Sequence, residues 1–482
     1  MTENPNSQPI TEAHKLNRRT FSSSQQIFDV LVVGAGVVGC AVSRRLAMEN
    51  RKVILVEKAG DILDGASKGN SAILHTGFDA PTDSVEQSCI ADGYREFREI
   101  HSKFNLPLLE TGAMVIAWND EQASSIDAIM SKAHANGVTD VVEIDVDTAR
   151  VQVPLLAPGA KRTLFIPGEC VVDPWSTPLA YLYQALAYGA TFINNCQVIQ
   201  GDFNGGRWHV STSQGELQAH WLVNCAGLYG DLLHNQLIGE PLFQIRPRKG
   251  QFLVYDKSAK SLSNTILLPV PTEKTKGIVV CPTIFGNLLV GPSADDQESR
   301  DDTSVDAETL NRLKTVGEGI LPDLKHHSVT GIYAGIRPAT ESSDYEIQLI
   351  RERQYLCVGG IRSTGLSAAL GIARLATRTI FGDQSSVRES ADIQWPAVPQ
   401  ISETGERDWM QPDNGGIVCH CELVTRREIE NALHGPIPVQ SLSGLKRRTR
   451  VTMGRCQGFY CSAELSEITA GCFESPLDVT DQ

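Results

Sequence analysis

The chain has 482 residues, long enough for about three domains. With 41% hydrophobic and 21% charged residues it has the composition of an ordinary soluble globular protein. A formal net charge of −14 argues against a general affinity for nucleic acid.

Residues 1–27 are rich in Ser, Thr, Asn and Gln, with Lys15, Arg18 and Arg19 set against Glu3 and Glu12. This stretch is expected to be a disordered leader. It lacks the amphipathic run of a transit peptide and the apolar run that follows a twin arginine in an export signal. Twelve cysteines without a secretory leader point to a reducing compartment rather than to a disulfide framework.

Order begins at F-D-V-L-V-V-G-A-G-V-V-G-C-A-V-S-R-R-L-A, which starts at Phe28 and reads as strand, glycine turn and helix. It contains the longest apolar stretch, Val30 to Val42, which holds three glycines and is too short to span a bilayer. Gly34, Gly36 and Gly39 form G-x-G-x-x-G at the junction. There a backbone can approach a pyrophosphate closely, and the helix N-terminus supplies N–H donors. The next strand, V-I-L-V-E, ends at Glu57, placed to accept hydrogen bonds from an adenosine ribose. A nicotinamide domain would continue with alternating strands and helices. Here the polar stretch D-G-A-S-K-G-N-S-A-I-L-H-T-G-F-D follows instead. Further strand-to-glycine-turn patterns come much later, at Trp221–Asp231 and Tyr355–Ala373. A cofactor gripped by segments so far apart suits a large flat flavin, and no second G-x-G-x-x-G offers an NAD site.

Residues 386–412 read as a linker, and T-R-R-E at Thr425–Glu428 as a capping box that opens a short helix. Two close cysteine pairs mark the tail, Cys419 and Cys421 as C-H-C, then Cys456 and Cys461 as C-Q-G-F-Y-C. Thiolates bind soft metals and iron–sulfur clusters. From Gln440 to Cys461 there is no Asp or Glu, but Lys446, Arg447, Arg448, Arg450 and Arg455 are present. Positive surroundings favour an anionic [2Fe-2S] cluster. Structural zinc is the competing reading, although C-x-C is a less usual zinc spacing than C-x2-C.

The fingerprint, S-K-G-N-S-A-I-L-H-T-G, V-V-D-P-W at Val171–Trp175 and V-N-C-A-G-L-Y-G-D together resemble the FAD-dependent oxidoreductases of the D-amino-acid oxidase and glycerol-3-phosphate dehydrogenase superfamily. The tail, with C-H-C-E-L-V-T-R-R-E-I and L-K-R-R-T-R-V-T-M-G-R-C-Q-G-F-Y-C, resembles the bacterioferritin-associated-ferredoxin-like [2Fe-2S] domain found on anaerobic glycerol-3-phosphate dehydrogenase large subunits. Its closing C-x4-C departs from the C-x2-C of simpler members and matches the dehydrogenase tails.

The resemblance implies an α/β fold: a Rossmann-type FAD domain over 28–385, an interleaved mixed-sheet substrate subdomain at roughly 111–170 and 241–329, and a small helical [2Fe-2S] domain over 413–475. FAD would meet Gly34, Gly36, Gly39, Glu57 and Lys58, then Ser67, Asn70 and Ser71. Val198 falls where the family holds adenine by its backbone, and Gly227, Gly335, Gly360, Gly365 and Leu366 complete the contacts. Cys419, Cys421, Cys456 and Cys461 would hold the cluster.

His75 is the best-placed base for a substrate hydroxyl or amine. Arg246, Arg248, Lys249, Arg337 and Arg362 are candidate anion ligands, because a guanidinium suits phosphate and carboxylate alike. The plainer alternatives are a cofactor hydrogen bond for His75 and surface salt bridges for the arginines. The expected activity is oxidation of a small anionic hydroxy substrate, with sn-glycerol-3-phosphate leading and 2-hydroxy acids such as 2-hydroxyglutarate, or amino or imino acids, as alternatives. A non-catalytic flavin and iron–sulfur electron-transfer protein is a third reading. Electrons would leave to a ferredoxin-like protein, a quinone-linked carrier or a partner subunit. The expected location is cytoplasmic, either free or peripheral at the inner face of the membrane.

Overall fold

In the computed structural model, residues 26–271, 277–382, 393–473 and 475–477 are described. The expected leader lies almost wholly outside them, as do residues 386–392 of the expected linker.

The β-branched run Ile27–Val33 and the strand Val53–Val56 pair in parallel, Val30 beside Val53. On the other side Gly215–Asn224 runs parallel too, with Val30 opposite Trp221 and Val33 opposite Asn224. Tyr355–Gly359 continues the sheet from Leu222, and Thr191–Ile193 adds a parallel strand beyond Val53–Val56. Because these strands are parallel, their C-terminal ends and the glycine turns that follow meet along one edge. A cleft for a dinucleotide forms at such an edge. The helices Val37–Met48, Val85–Ile100, Ser176–Ala187 and Gly365–Phe381 cover the sheet, burying Leu46, Ile90, Tyr181 and Ala369 in one core.

A second, nine-stranded mixed sheet runs from Asp295–Asp296 through Arg246–Tyr255 to Val142–Ile144. Its edge nearest the first sheet includes Val329–Ala339, which pairs along the whole of Arg246–Tyr255. The sheet therefore continues past residue 329, the limit expected from sequence, because the alternating stretch up to Ala339 finds its hydrogen-bond partners there.

A small three-stranded sheet joins the two bodies: Ile73–Leu74 and Leu108–Leu109 both pair antiparallel with Cys170–Val172. The tail begins with a hairpin, Ile417–Cys419 and Val424–Thr425. The capping box Thr425–Glu428 then opens the helix Arg426–His434. Helices Leu442–Thr449 and Ser462–Ile468 pack with them around Ile429, Leu445, Val451 and Leu465.

Residues 393–412 are not a free tether. Trp395 meets Phe104 edge-on at 4.9 Å, Val398 N–H donates to the Phe104 carbonyl, and Ile401 is buried. Trp395 and the buried Val398 and Ile401 account for this attachment, which the surrounding Ser, Pro and charged residues mask in the sequence.

Candidate active site and thiol cluster

Gly34 has φ +102°, and a Cβ there would lie 2.5 Å from the Cys225 carbonyl oxygen. A Cβ on Gly39 would lie 1.8 Å from the Gly34 carbonyl oxygen. The first glycine makes the turn and the third lets the helix press onto it. Gly36 lies between them with only Ser67 Oγ near its missing Cβ, at 3.1 Å. Ser67 Oγ accepts from Val37 N–H, and the Glu57 carboxylate takes Ala35 N–H at 2.7 Å and Ala59 N–H at 3.0 Å. Burial raises Glu57 above the ordinary carboxylate range, although these two donors oppose the shift.

This turn opens onto one cavity of about 1010 Å³ shared by both sheets. Of the residues expected at the cofactor, Gly34, Gly36, Glu57, Lys58, Ser67, Asn70, Ser71, Val198, Gly227, Gly335, Gly365 and Leu366 line it. Gly39 and Gly360 do not. Gly39 is used against Gly34, and Gly360, at φ +64°, turns beside Glu346. At the seam between the two bodies, a Cβ on Gly335 would lie 2.1 Å from the Gly69 carbonyl oxygen, so two bare backbones touch there.

His75, Arg248, Arg337 and Arg362 line the same cavity. Leu74 pairs with Cys170 in the small sheet, which sets His75 beside Glu169. His75 Nδ1 is 2.9 Å from Glu169 Oε2, and Glu169 is wholly buried. The other oxygen of Glu169 accepts from Thr76 N–H at 2.6 Å and Thr76 Oγ1 at 2.8 Å. His75 N–H donates to Ser367 Oγ, which ties the loop to the helix Gly365–Phe381.

Arg248 and Arg337 are direct cross-strand partners. Arg248 donates to Asp296 at 2.6 Å. Arg337 reaches only the Ser293 carbonyl, at 3.3 Å from both terminal nitrogens, and forms no ion pair among the described residues. Burial, reinforced by the Arg248 charge, pushes the Arg337 guanidinium down to about 10. Two neighbouring cations, one of them short of a counter-charge, make an anion site.

Arg362 is already engaged. It donates to the buried Glu86 at 2.6 Å and to the Ser343 carbonyl. Lys249 is held by Asp302 at 2.7 Å, and Arg246 is exposed and does not line the cavity.

Sequence reasoning missed Glu169, Glu86 and Arg300. Glu169 and Glu86 gave no local signal, since each acts through a partner distant in sequence. Arg300 pairs with Asp231 through both terminal nitrogens, at 2.6 and 2.9 Å, and lines the cavity. Burial works against ionisation of Asp231, but Arg300 holds its carboxyl below the ordinary range. Asp231 stands in the G-L-Y-G-D motif, and that was the available clue.

In the tail, Cys421 is close enough to feel both Cys456 and Cys419, and Cys461 to feel both Cys419 and Cys456. Among the described residues no group of three or more His, Cys, Asp or Glu side chains is gathered as a metal-ion site. The loop between Cys456 and Cys461 turns through Gln457 at φ 52° and Gly458 at φ 92°. This folds the N–H groups of Tyr460, Gly458 and Phe459 onto Cys456, which lowers that thiol, whereas burial raises Cys461 to about 12. Phe459 and Tyr460 point outward, 81% and 80% exposed.

The basic segment is mostly spent elsewhere than on a cluster charge. Arg448 and Arg447 meet Asp61 at 2.8 and 3.5 Å, Arg450 meets Glu422 at 2.9 Å, and Arg455 meets Asp256 at 2.9 Å. The buried guanidiniums of Arg447 and Arg448 need a carboxylate, and the body supplies Asp61. That cluster and the exposed Arg455–Asp256 pair dock the tail, whereas Arg450–Glu422 lies within it.

A parallel sheet with a glycine-lined dinucleotide cradle, joined to a second sheet carrying a His–Glu pair and two cations, defines a flavin-dependent oxidoreductase. Residues 29–379 match the FAD dependent oxidoreductase family, and the chain belongs to it. Residues 417–470 match the BFD-like [2Fe-2S] binding domain. The chain is 29% identical over 452 residues to the glycerol 3-phosphate dehydrogenase of Caloramator mitchellensis, covering 92% of this chain and 94% of that one. It is 25% identical to one of the subunits of the anaerobic glycerol-3-phosphate dehydrogenase of Escherichia coli (strain K12), covering 91% and 87%. Among solved structures, the dithionite-reduced L-alpha-glycerophosphate oxidase of Mycoplasma pneumoniae with FAD bound superposes with a TM-score of 0.72. That match is 24% identical and covers 78% of this chain and 100% of the other.

FAD and a [2Fe-2S] cluster are thus this chain's cofactors. The residues present fit both: bare backbone where a pyrophosphate must approach, and four mutually close thiols for a two-iron cluster.

Proposed function

We propose that the protein oxidises sn-glycerol-3-phosphate and delivers the electrons through its tail to a protein acceptor. The observation that carries the substrate class is the Arg248–Arg337 cross-strand pair in the cavity that holds His75. An anion fixed by these two guanidiniums would lie in the same cavity as His75. The relatives named for glycerol 3-phosphate support phosphate over carboxylate.

Bound FAD supplies a hydride acceptor, and the cluster supplies a carrier that passes electrons singly. His75 takes the hydroxyl proton on Nε2, because Nδ1 is occupied by Glu169. Arg337 and Arg248 hold the phosphate. Gly34, Gly36 and Glu57 would seat the adenosine diphosphate half of FAD, and Gly335, Gly365 and Leu366 would meet the rest of the cofactor. Cys419, Cys421, Cys456 and Cys461 would hold the cluster. Phe459 and Tyr460 leave a large apolar surface beside the cluster, suited to docking a ferredoxin-like protein, a quinone-linked carrier or a partner subunit. Among the described residues no helix is long and apolar enough to cross a membrane. We place the protein on the cytoplasmic side, free or held peripherally through that partner.

Anaerobic mixing of the purified protein with a substrate panel tests this reading. sn-Glycerol-3-phosphate should bleach the flavin and then reduce the cluster. Bleaching by 2-hydroxyglutarate or an amino acid, with glycerol-3-phosphate inert, would overturn it.

A further inference from the structure

We infer that Glu169 is a positioning residue for the oxidation: it fixes the tautomer of His75 and carries the imidazole through its protonated state. The inference rests on His75 being the base, and it concerns a residue that no sequence motif marks.

Three observations carry it. First, Glu169 is fully buried, yet its single ion-pair partner among the described residues is His75. A buried carboxylate without lysine or arginine is costly unless its hydrogen bonds are filled, so its retention at this point calls for a reason. Second, its two oxygens have separate partners. Oε1 is filled by two donors from Thr76, the backbone N–H and the hydroxyl. Oε2 is thereby left as an acceptor for one more hydrogen, and the group at 2.9 Å is His75 Nδ1. With Glu169 as a carboxylate, which can only accept, Nδ1 would carry the hydrogen and the lone pair of the neutral ring would sit on Nε2. Third, Nε2 has no partner among the described residues while the ring lines the cavity. The backbone of the same residue is pinned by Ser367 Oγ at 2.8 Å, so the ring is held from two sides.

The proton and electron count closes. The substrate O–H bond breaks and an Nε2–H bond forms. The adjacent C–H bond breaks, its hydrogen and electron pair pass to the flavin, and a C=O bond forms. The carbon is oxidised, the flavin is reduced, and the imidazolium that results faces the Glu169 negative charge.

In Glu169→Gln the oxygen satisfies the two Thr76 donors, which turns the amide NH₂ toward Nδ1. The hydrogen then moves to Nε2, and the ring presents a donor where a base is needed. Flavin reduction at saturating sn-glycerol-3-phosphate should fall by about 10²-fold or more, with FAD content retained. Glu169→Asp keeps the charge and should recover part of the rate. In a His75→Ala background, Glu169→Gln should cost little further, since Glu169 works only through the ring. Independently of turnover, nitrogen-15 resonances of His75 in the FAD-loaded protein should report Nδ1–H in the parent and Nε2–H in Glu169→Gln. Should Glu169→Gln fold poorly, Thr76→Val, which removes one donor to the carboxylate, should still slow reduction through the same pathway.

The inference is overturned by a parental rate in Glu169→Gln, by an unchanged tautomer, or by an equal loss with and without His75. If glycerol-3-phosphate fails to bleach the parent while the tautomer still responds to Glu169, the substrate assignment is at fault and the positioning role stands.

Discussion

Replacing Arg337 by methionine should stabilise the substrate-free protein and cripple substrate binding at the same time. The guanidinium sits between strands with only the Ser293 carbonyl to bond, at 3.3 Å, and beside the like charge of Arg248. Burial pushes it down to about 10, which against an ordinary value above 12 corresponds to an upper bound of about 3 kcal/mol of unfavourable free energy. Two long hydrogen bonds offset part of this, so Arg337→Met should gain about 1–3 kcal/mol. Because the folded value is depressed for a base, the unfolded chain binds the extra proton between about pH 10 and the ordinary value. The penalty is therefore full everywhere below about pH 10 and is relieved only above it. Across pH 6–9 the stability gain should be flat. Denaturant midpoints of the FAD-loaded protein without substrate measure the gain. Steady-state kinetics measure the loss: two charge-assisted contacts to phosphate, at about 1.5–3 kcal/mol each, raise KM by about 10²-fold or more. A variant that is less stable than the parent, or one with an unchanged KM, would refute the reasoning.

Cys456→Ser should leave glycerol-3-phosphate-dependent flavin bleaching intact while abolishing delivery to an external acceptor, with iron and sulfide content falling together. Zinc in the parent under anaerobic purification would overturn the relay. Asp61→Asn strips the carboxylate from Arg447 and Arg448, each only 6% exposed, at a cost of about 3–5 kcal/mol. The tail should unfold or undock at lower denaturant, and flavin-to-cluster transfer should slow. An unchanged transition would mean that the other pairs suffice. Replacing Phe459 and Tyr460 together by serine should leave reduction of a small dye unchanged and weaken transfer to a protein acceptor by about tenfold or more, the usual effect of losing aromatic anchors. Equal losses with both acceptors would place the effect in the cluster itself.

What the sequence made legible were the features in which neighbouring residues determine one another's geometry. Gly34, Gly36 and Gly39 lie on one turn, and Thr425 and Glu428 close one helical N-terminus, so local spacing is enough to read them. The four tail cysteines are legible for the same reason, as C-H-C and C-Q-G-F-Y-C, although the contacts between them run across those two motifs. Arg362 marks the limit. Its motif placed it correctly at the cavity, but nothing nearby in sequence announced that Glu86, 276 positions away, would take its guanidinium. The basic tail segment failed in a related way. Its sign was plain, but its counter-charges, Asp61 and Asp256, belong to the other domain.

The docking of the tail bears on how the two cofactors communicate. Asp61 begins the segment that runs through Asp64 to Ser67 and Asn70, and from Asp64 onward that segment lines the cavity. Its other side is held by Arg447, which also reaches the Ile62 carbonyl and Asp64. One short loop thus lines the cavity on one face and meets the tail helix Leu442–Thr449 on the other. Leu63 N–H returns to the Ala35 carbonyl inside the fingerprint turn, so the loop is braced against the turn itself. A tail attached only by its linker would sample many distances from the flavin. A tail fixed by buried ion pairs to the loop that lines the cofactor cavity has one distance from it, set by that loop's own backbone.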